Sequence, residues 1–336
     1  MGTQTLGDRP AAPVTPRPLS RKVTGADRVF VLGTRSVGAS VLVITGGIGV
    51  FLALQAFPTI ARYGPSFFTE NQWQPDLGVV GISGVLLGTF TVALVAMTFA
   101  FPLALTTALF ISEYAPGRIK AVLISMVDLM AAVPSIIYGL WGFFLMQPLA
   151  SRLARWLHQY LGWLPFFHVD ADPDAAQWDQ TMYTASAFVA GLAVAMMVLP
   201  MASSVMREVF SQAPLGEREG ALALGATRWG VIQSVVLPFG RGGIIGGTML
   251  GLGRALGETI AVLLIISPAF DLKVRPLELG TNTVSALIAG RFGEASPGQL
   301  QALLTAGFVL FVITLVINTL AAVVVARSRS GAGTDL

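Results

Sequence analysis

The chain has 336 residues, of which 54% are hydrophobic and only 12% are charged, and its net charge is +3 at neutral pH. Soluble domains carry about 25% charged residues, so this composition, with a mean hydropathy of +0.72, excludes an ordinary water-soluble protein. The chain has no cysteine, which excludes disulfides and thiolate chemistry. His158 and His168 are its two histidines. Two ligands from one loop would leave a zinc ion underliganded, so we expect neither a metal nor a cofactor.

The first 28 residues are polar and rich in proline, which predicts a disordered cytoplasmic tail. The apolar stretch that follows is too long for the core of a signal peptide, so we expect an uncleaved first transmembrane span. A spanning helix needs about 20 apolar residues, and windows almost free of charge predict six spans, at residues 36–61, 80–111, 121–150, 180–206, 242–270 and 295–326. In lipid each backbone amide must be satisfied within its own segment, so the predicted fold is an all-α membrane domain over residues 29–330.

The placement of lysine and arginine predicts the orientation of these spans. With the N-terminus in the cytoplasm, most of the 21 Lys and Arg residues fall on the cytoplasmic side. The positive-inside rule therefore places both termini in the cytoplasm and predicts a multi-pass protein of the inner (cytoplasmic) membrane. The outer loop over residues 151–180 then carries Trp156, Trp163 and Trp178, which we expect at the lipid interface.

Residues 207–241 form a long cytoplasmic loop whose pattern predicts two short helices. Residues 219–224 are good helix formers, and Gly225 is expected to end that helix or bend the chain. Thr227 is a plausible N-cap for a second helix, over residues 228–236, and Pro238 is expected to stop it.

The apolar side chains of this loop are Leu222, Trp229 and Ile232, and they need a partner surface to cover them. A protein partner in the cytoplasm would provide one. An amphipathic loop that lies on the membrane would show the same pattern, so the pattern alone leaves both interpretations open.

Two charges lie in the otherwise apolar fifth span. Arg254 and Glu258 are four residues apart, so on a continuous helix they share one face, and Thr259 follows them. Each charge at the centre of a membrane costs at least about 2.5–3.5 kcal/mol, so such residues usually face a cavity and serve function. Asp128, in the third span, is a further candidate partner.

Two explanations fit the charges of the fifth span. An internal ion pair could hold helices together. Alternatively, the residues line a path for an anion, because the planar guanidinium of Arg254 suits tetrahedral oxyanions. Glu258 could then accept a hydrogen bond from a protonated phosphate, which sulfate cannot donate. Glycines spaced four residues apart between 242 and 257 allow close helix approach, and packing alone accounts for them.

The cytoplasmic loop resembles the EAA loop of ABC importer permeases. Glu219, Ala221, Gly225, Leu237 and Pro238 match that motif at the right spacing, while Gly220 replaces its first alanine and Val235 its isoleucine. The resemblance implies a coupling helix that docks on a cytoplasmic ATPase subunit. The residues assigned to this role are Glu219, Ala221, Leu222, Gly225, Trp229, Leu237 and Pro238.

Two further stretches resemble phosphate importer permeases. They are Gly-Leu-Gly-Arg-Ala-Leu-Gly-Glu-Thr at residues 251–259 and Pro-Ser-Ile-Ile-Tyr-Gly-Leu-Trp-Gly at residues 134–142, and the second is similar to the PstC-type subunit. The resemblance covers roughly residues 30–327 and implies the type I ABC importer permease fold. It also places Arg254 and Glu258 in the transport path, to which we add Asp128 and Thr259.

The resemblance implies an assembly that imports inorganic phosphate with energy from ATP. Its expected partners are a second permease of the PstA type in a heterodimer, two cytoplasmic ATPase subunits, an extracytoplasmic phosphate-binding protein and membrane lipid, with no nucleic acid. The chain has no Walker motif, so ATP hydrolysis is assigned to the partner subunits and no catalytic residue is expected.

Three alternatives to phosphate import remain at this stage. The nearest is an ABC permease for another oxyanion, such as molybdate or sulfate. A proton-coupled secondary transporter would use Arg254 and Glu258 in proton exchange, but it leaves the coupling loop unexplained. A membrane enzyme is the weakest alternative, because no Ser/His/Asp set, metal site or carboxylate pair is placed for chemistry.

Overall fold

The structure is a computed structural model that describes residues 25–170 and 182–328. Most of the predicted tail, residues 1–24, and Trp178 lie outside the described residues. Residues 25–28 were expected in that tail but form the first turn of a helix, where the carboxylate of Asp27 complements the helix dipole. The chain forms two units, Met1–Ile48 and Gly49–Leu336, and all the functional residues discussed below belong to the second.

The described chain is almost entirely helical. Its helices are α1 (Gly25–Tyr63), α2 (Ser66–Thr69), α3 (Ser83–Leu109), α4 (Gly117–Ala132), α5 (Ser135–Trp141), α6 (Gln147–Leu161), α7 (Ala187–Ser211), α8 (Leu215–Ala223), α9 (Arg228–Val231), α10 (Leu237–Gly257), α11 (Ile260–Ile265), α12 (Val284–Arg291) and α13 (Pro297–Ser328). Between α2 and α3, a short antiparallel hairpin pairs β1 (Trp73–Gln74) with β2 (Val79–Val80).

Five helical segments of the described chain are long and apolar enough to cross a membrane, and they occur where five of the six spans were predicted. They are Asp27–Tyr63, Ser83–Tyr114, Ala187–Ser211, Arg228–Gly257 and Pro297–Ala326. The remaining predicted span, the third in the chain, corresponds to a bent pair of helical segments, Gly117–Ala132 and Ser135–Leu161, which meet at 91°. The all-α membrane fold is thus confirmed, and the two spans that differ from prediction are the third and the fifth.

The third span was predicted as one helix over residues 121–150, and this was wrong. The chain breaks between α4 and α5, because Pro134 disfavours helical backbone at Val133, which is extended with ψ near 129°. The Tyr138 hydroxyl donates to the Met130 carbonyl at 2.8 Å, which satisfies a backbone group freed by the break. The helix after the break runs on to Leu161, so the first part of the predicted outer loop 151–180 is also helical.

The fifth span was predicted as one helix over residues 242–270, but it begins earlier and is broken. A continuous helical segment runs from Arg228 to Gly257, so Pro238 does not stop it. The π-turn Ile232–Val236 precedes this proline, and the Leu237 N–H bonds the Ile232 carbonyl five residues back. Pro238 then lies in the first turn of α10, directly after the π-turn, where a missing N–H is tolerated.

The core of the second unit forms where α3 packs along α7 and α10 packs on α7 and α13. Its residues are mostly alanine and valine, among them Ala96 and Ala193, both fully buried. Glycine permits the closest approach: a Cβ at Gly251 would lie 2.6 Å from Val198 Cγ1, and one at Gly247 would lie 2.9 Å from the Ala202 carbonyl oxygen. Packing therefore accounts for these two glycines, as predicted.

Candidate functional site

Arg254 lies in the last turn of α10, and its side chain is exposed. Gly251, one turn earlier, lies against Val198 near the midpoint of α7, so Arg254 lies about 4.5 Å further along the axis, away from the coupling segment. Within residues 25–170 and 182–328, no carboxylate forms an ion pair with this guanidinium. It is therefore a positive charge at mid-bundle depth that is free to meet an anion.

Glu258 does not share a helix face with Arg254, because α10 ends at Gly257 and Glu258 is extended, with φ −65° and ψ 128°. Its side chain is buried, with 7% of its surface exposed. The carboxylate Oε1 accepts from the Ala261 N–H at 3.3 Å and so caps α11. The Glu258 carbonyl accepts from the Ser285 hydroxyl at 2.7 Å. The proposed ion pair with Arg254 is thus replaced by a helix cap.

Thr259 and Tyr138 complete the surroundings of the break. The Thr259 hydroxyl donates to the Gly257 carbonyl at 3.1 Å, which satisfies a group left open at the end of α10. Tyr138 of α5 lies within electrostatic range of Arg254, and α5 packs on α11. The helices that follow the two breaks, α5 and α11, are therefore in close contact: a Cβ at Gly139 would lie 2.8 Å from the Cα of Ala261.

Asp128 does not reach Arg254. Its Oδ1 accepts from the Ser204 hydroxyl at 3.2 Å and lies 3.8 Å from Arg207 Nη2, both on α7. Ser204 and Arg207 follow Val198 by six and nine residues, so this cluster lies about 9–13 Å from the level of Gly251, towards the coupling segment. Sequence reasoning missed Arg207, because it was counted as the first residue of the cytoplasmic loop.

The coupling segment, residues 207–241, begins with a helix that is longer than predicted. α8 runs over Leu215–Ala223 rather than 219–224. Gly225 has φ +86°, the Ala226 N–H bonds the Ala221 carbonyl at 3.0 Å, and the Gly225 N–H bonds the Leu222 carbonyl at 2.9 Å. This pattern is a Schellman motif, which favours glycine at its left-handed position.

The second helix begins where the sequence predicted. The Thr227 hydroxyl accepts from the Gly230 N–H at 3.2 Å, so Thr227 is the N-cap of α9. Both the end of α8 and the start of α9 are thus confirmed. Glu219 is exposed on α8, whereas Leu237 is half-buried and Pro238 is exposed at the start of α10.

An apolar patch of the coupling segment remains uncovered in this chain. Its members Leu215, Leu222, Leu224 and Trp229 are exposed by 72%, 51%, 91% and 52%. Ile232, which was expected to share this surface, is instead buried in the core with Phe210 and Met206. We call the four exposed residues the coupling surface.

Two charged residues beside the coupling surface were also missed. Arg218 of α8 forms an ion pair with Glu113, at the end of α3, with an N–O distance of 3.1 Å. Their side chains are only 19% and 10% exposed. The available signal was positional: Arg218 stands directly before the motif residue Glu219, and Glu113 is the first charge after the second span.

At the other end of the bundle, Asp170 joins two loops. Its carboxylate accepts from Arg275 Nη1 at 2.7 Å and lies 3.1 Å from His168 Nε2. Arg275 also donates to Glu278 at 3.0 Å. The hydrogen bond from Arg275 lowers the pKa of Asp170. This network fixes the loop after α6 against the loop before α12.

The family model of binding-protein-dependent transport system inner membrane components matches residues 100–330. The chain belongs to this family. The matched range includes Asp128, the coupling segment and the break beside Arg254. As an ABC transporter permease subunit, the chain is a multi-pass membrane component whose ATP hydrolysis takes place in partner subunits.

Relatives with established names match the permease over nearly its whole length. The phosphate transport system permease protein PstC 2 of Mycobacterium tuberculosis is 37% identical over 335 residues, which covers 98% of this chain and 100% of the relative. PstC of Mycobacterium leprae is 40% identical over 286 residues, with 84% and 86% covered. PstC of Xylella fastidiosa is 36% identical over 303 residues, with 90% and 91% covered.

Solved structures of ABC importers share the fold of this permease. A bacterial transporter for the acidic polysaccharide alginate aligns with a TM-score of 0.54 and 18% identity, over 89% of this chain and 96% of that one. The inward-facing MetNI methionine transporter aligns with a TM-score of 0.52 and 14% identity, over 76% and 99%. The predicted type I ABC importer permease fold is therefore confirmed.

Proposed function

We propose that this chain is one of two membrane-spanning subunits of an ATP-driven importer of inorganic phosphate. The observation that carries the proposal is Arg254, a guanidinium at the break of the fifth span that has no ion-pair partner in the part of the chain that the structure describes. It lies in a chain that is 37% identical, over 98% of its length, to a phosphate transport permease. A tetrahedral oxyanion is the ligand that the planar fork of arginine binds in a bidentate manner.

The proposed assembly pairs this chain with a second permease of the PstA type, two cytoplasmic ATPase subunits and an extracytoplasmic phosphate-binding protein. The permease domain, residues 29–330, would lie in the inner membrane with both termini in the cytoplasm. The coupling surface supports this arrangement, because Leu222 and Trp229 expose apolar area that a groove on an ATPase subunit would cover.

In the proposed cycle, phosphate is released by the binding protein into a cavity shared by the two permeases. Closure of the ATPase subunits displaces the coupling segment, which rocks the helices as rigid bodies and changes the side to which the cavity opens. Arg254 offers a transient contact, since its exposure lets water compete and prevents tight trapping. Asp128, with Arg207, is proposed to line the path further towards the cytoplasm.

The test is phosphate uptake by the complete complex in proteoliposomes. We expect Arg254→Ala to reduce phosphate uptake at least tenfold, because the dehydrated anion loses its compensating charge, while the assembled complex still hydrolyses ATP. Arg254→Lys is the matched control and should retain part of the uptake. It keeps the positive charge but loses the planar guanidinium that can bind an oxyanion through two hydrogen bonds. Normal uptake by the alanine variant would remove Arg254 from the pathway.

Competition identifies the substrate within the oxyanion class. Excess sulfate or molybdate should leave the uptake of labelled phosphate by the wild-type complex unchanged. Full competition by either anion would assign the permease to that anion instead. Uptake by the permease pair in liposomes without ATPase subunits would favour a secondary transporter and overturn the proposed energy source.

A further inference from the structure

One guanidinium joins the coupling helix α8 to two transmembrane helices. Arg218 Nη1 donates to Glu113 Oε2 at 3.1 Å, and Nη2 donates to the Phe210 carbonyl at 2.6 Å. Glu113 is held from its other side, where the Ser112 hydroxyl donates to Oε1 at 2.8 Å. Both charged side chains are largely buried, so this cluster is an ordered part of the fold.

The two partners of Arg218 terminate the helices that form the centre of the core. Glu113 belongs to the π-turn Phe110–Tyr114, which ends α3. Phe210 lies in the last turn of α7, where carbonyls have no partner within the helix, so a cation there also complements the helix dipole. Since α3 and α7 pack along their lengths, Arg218 binds α8 to both members of that pair.

The other main contacts of α8 are with α9 and the π-turn Ile232–Val236. None of the residues of α8 is fully buried. Its large apolar side chains, Leu215 and Leu222, are exposed, and the small Ala221 packs inward. A buried ion pair loses far more when one partner is removed than an exposed pair does. Among the residues that the structure describes, Glu113–Arg218 is thus a largely buried ion pair that connects α8 to the bundle.

We propose that Arg218 and Glu113 are positioning residues that transmit displacement of the coupling helix to α3 and α7. When the coupling surface moves, the ion pair forces the ends of both helices to move with α8 as one body. Without it, α8 follows the ATPase while α3 and α7 lag behind, so hydrolysis continues with less transport. This inference rests on the proposed function for its transport readout only.

The first test is the ratio of ATP hydrolysed to phosphate imported by the complete complex in proteoliposomes. We expect Arg218→Met to keep assembly and hydrolysis within about twofold of the wild type while uptake falls at least fivefold. Glu113→Gln should act in the same direction. Arg218→Lys keeps a cation that can donate to Glu113 and to the Phe210 carbonyl, so it should retain at least half of the uptake. Arg118→Met, at an exposed arginine near the start of α4, is the control and should keep the wild-type ratio.

A wild-type ratio in Arg218→Met would overturn the proposal. So would an Arg218→Lys complex that assembles like the wild type but is as uncoupled as Arg218→Met, because the cation that donates to Glu113 is then still present. If Arg218→Met does not assemble, Arg218→Lys becomes the deciding variant. It retains the positive charge and should retain the wild-type ratio of ATP hydrolysed to phosphate imported.

The second test does not depend on the substrate. The chain has no cysteine, so spin labels can be attached at Gly117→Cys and Gly216→Cys, where a Cβ would meet no atom within 4 Å. The distance distribution between the labels should be narrow in the assembled complex with and without nucleotide, and Arg218→Met should broaden it. An unchanged width would contradict the proposal. A wild-type complex that imports no phosphate would refute the proposed function and leave this distance result to decide.

Discussion

Three charged side chains lie in the predicted third and fifth spans, and each has a different environment. Glu258 is buried and caps α11, and Asp128 lies near Arg207. Arg254 is exposed and has no ion-pair partner among residues 25–170 and 182–328. A charge held at this depth costs several kcal/mol unless it faces water. For this reason Arg254 is the residue that we propose to contact the anion in transit.

Substitutions of Glu258 should change the stability of the permease. We expect Glu258→Ala to lower the stability of the permease by about 0.5–2 kcal/mol, since the Ala261 N–H loses its acceptor. Glu258→Gln keeps an oxygen at the capping position and should melt within a degree or two of the wild type. Thermal unfolding in detergent measures both. Equal melting of all three proteins would show that the cap contributes nothing.

The same glutamine variant tests the predicted preference for phosphate over sulfate. A carboxylate can accept the hydrogen bond of a protonated phosphate, and an amide oxygen does so less strongly. Because Glu258 is buried in this conformation, the hypothesis requires that the side chain becomes accessible in another state of the cycle. An unchanged preference in Glu258→Gln would rule out this role.

Asp170 gives a pH dependence whose sign follows from its environment. The Arg275 hydrogen bond lowers its pKa in the folded chain, so its contribution to stability is complete above the ordinary value of about 3.9 and is lost as the pH falls through the lowered value. The difference in melting temperature between the wild type and Asp170→Asn should be present at pH 5 and shrink below about pH 4. Asp271→Asn, at an exposed carboxylate nearby, should give no such trend.

At the scale of elements, hydrophobic windows predicted where helices cross the membrane but not where they break. The break at Pro134 carried a visible signal, since proline restricts the residue before it. The break at Glu258 carried none: it depends on Ser285 and on the cap at Ala261, which only the folded chain brings together. Four-residue spacing therefore suggested a shared helix face for Arg254 and Glu258 that does not exist.

Turn chemistry was predicted more accurately than the position of the proline stop. Gly225 and Thr227 act through local hydrogen bonds, and both end or start their helices as the sequence indicated. Pro238 failed as a stop because the π-turn before it changes the hydrogen-bond register. Local motifs were thus readable, whereas helix continuity depended on a backbone irregularity with no sequence signal.

The contact of α10 with α7 depends on glycine at particular positions. A Cβ at Gly251 would lie 2.6 Å from Val198 Cγ1, whereas one at Gly246 would meet only Val325, at 4.0 Å. We expect Gly251→Val to cost about 1–3 kcal/mol by overpacking and to lower the melting temperature and the yield of folded permease. Gly246→Val has the same helix propensity and should have little effect. Equal effects of the two substitutions would contradict this packing.

At the scale of the whole molecule, one continuous helical segment connects the two functional regions. Trp229 and Arg254 both belong to the segment Arg228–Gly257, 25 residues apart in the numbering, which corresponds to about 37 Å along a helix axis. This segment connects Trp229 of the coupling surface to the break on α10, whereas the Arg218–Glu113 pair connects α8 to α3 and α7. The expectation that Pro238 ends the helix concealed this connection, because it divided the segment into a loop helix and a separate span.

Trp229, at one end of this segment, should contribute much of the affinity for the ATPase subunit. Its indole is 52% exposed, and buried tryptophans are common hot spots at protein interfaces. We expect Trp229→Ala to weaken binding of the purified ATPase subunit to the permease in nanodiscs by about 30-fold, equivalent to about 2 kcal/mol. Trp163→Ala provides the control, because Trp163 is 77% exposed on the loop after α6, far from α8 in the chain. Equal binding by both variants would mean that the coupling surface is covered by something other than the ATPase, and lipid would then be the leading candidate.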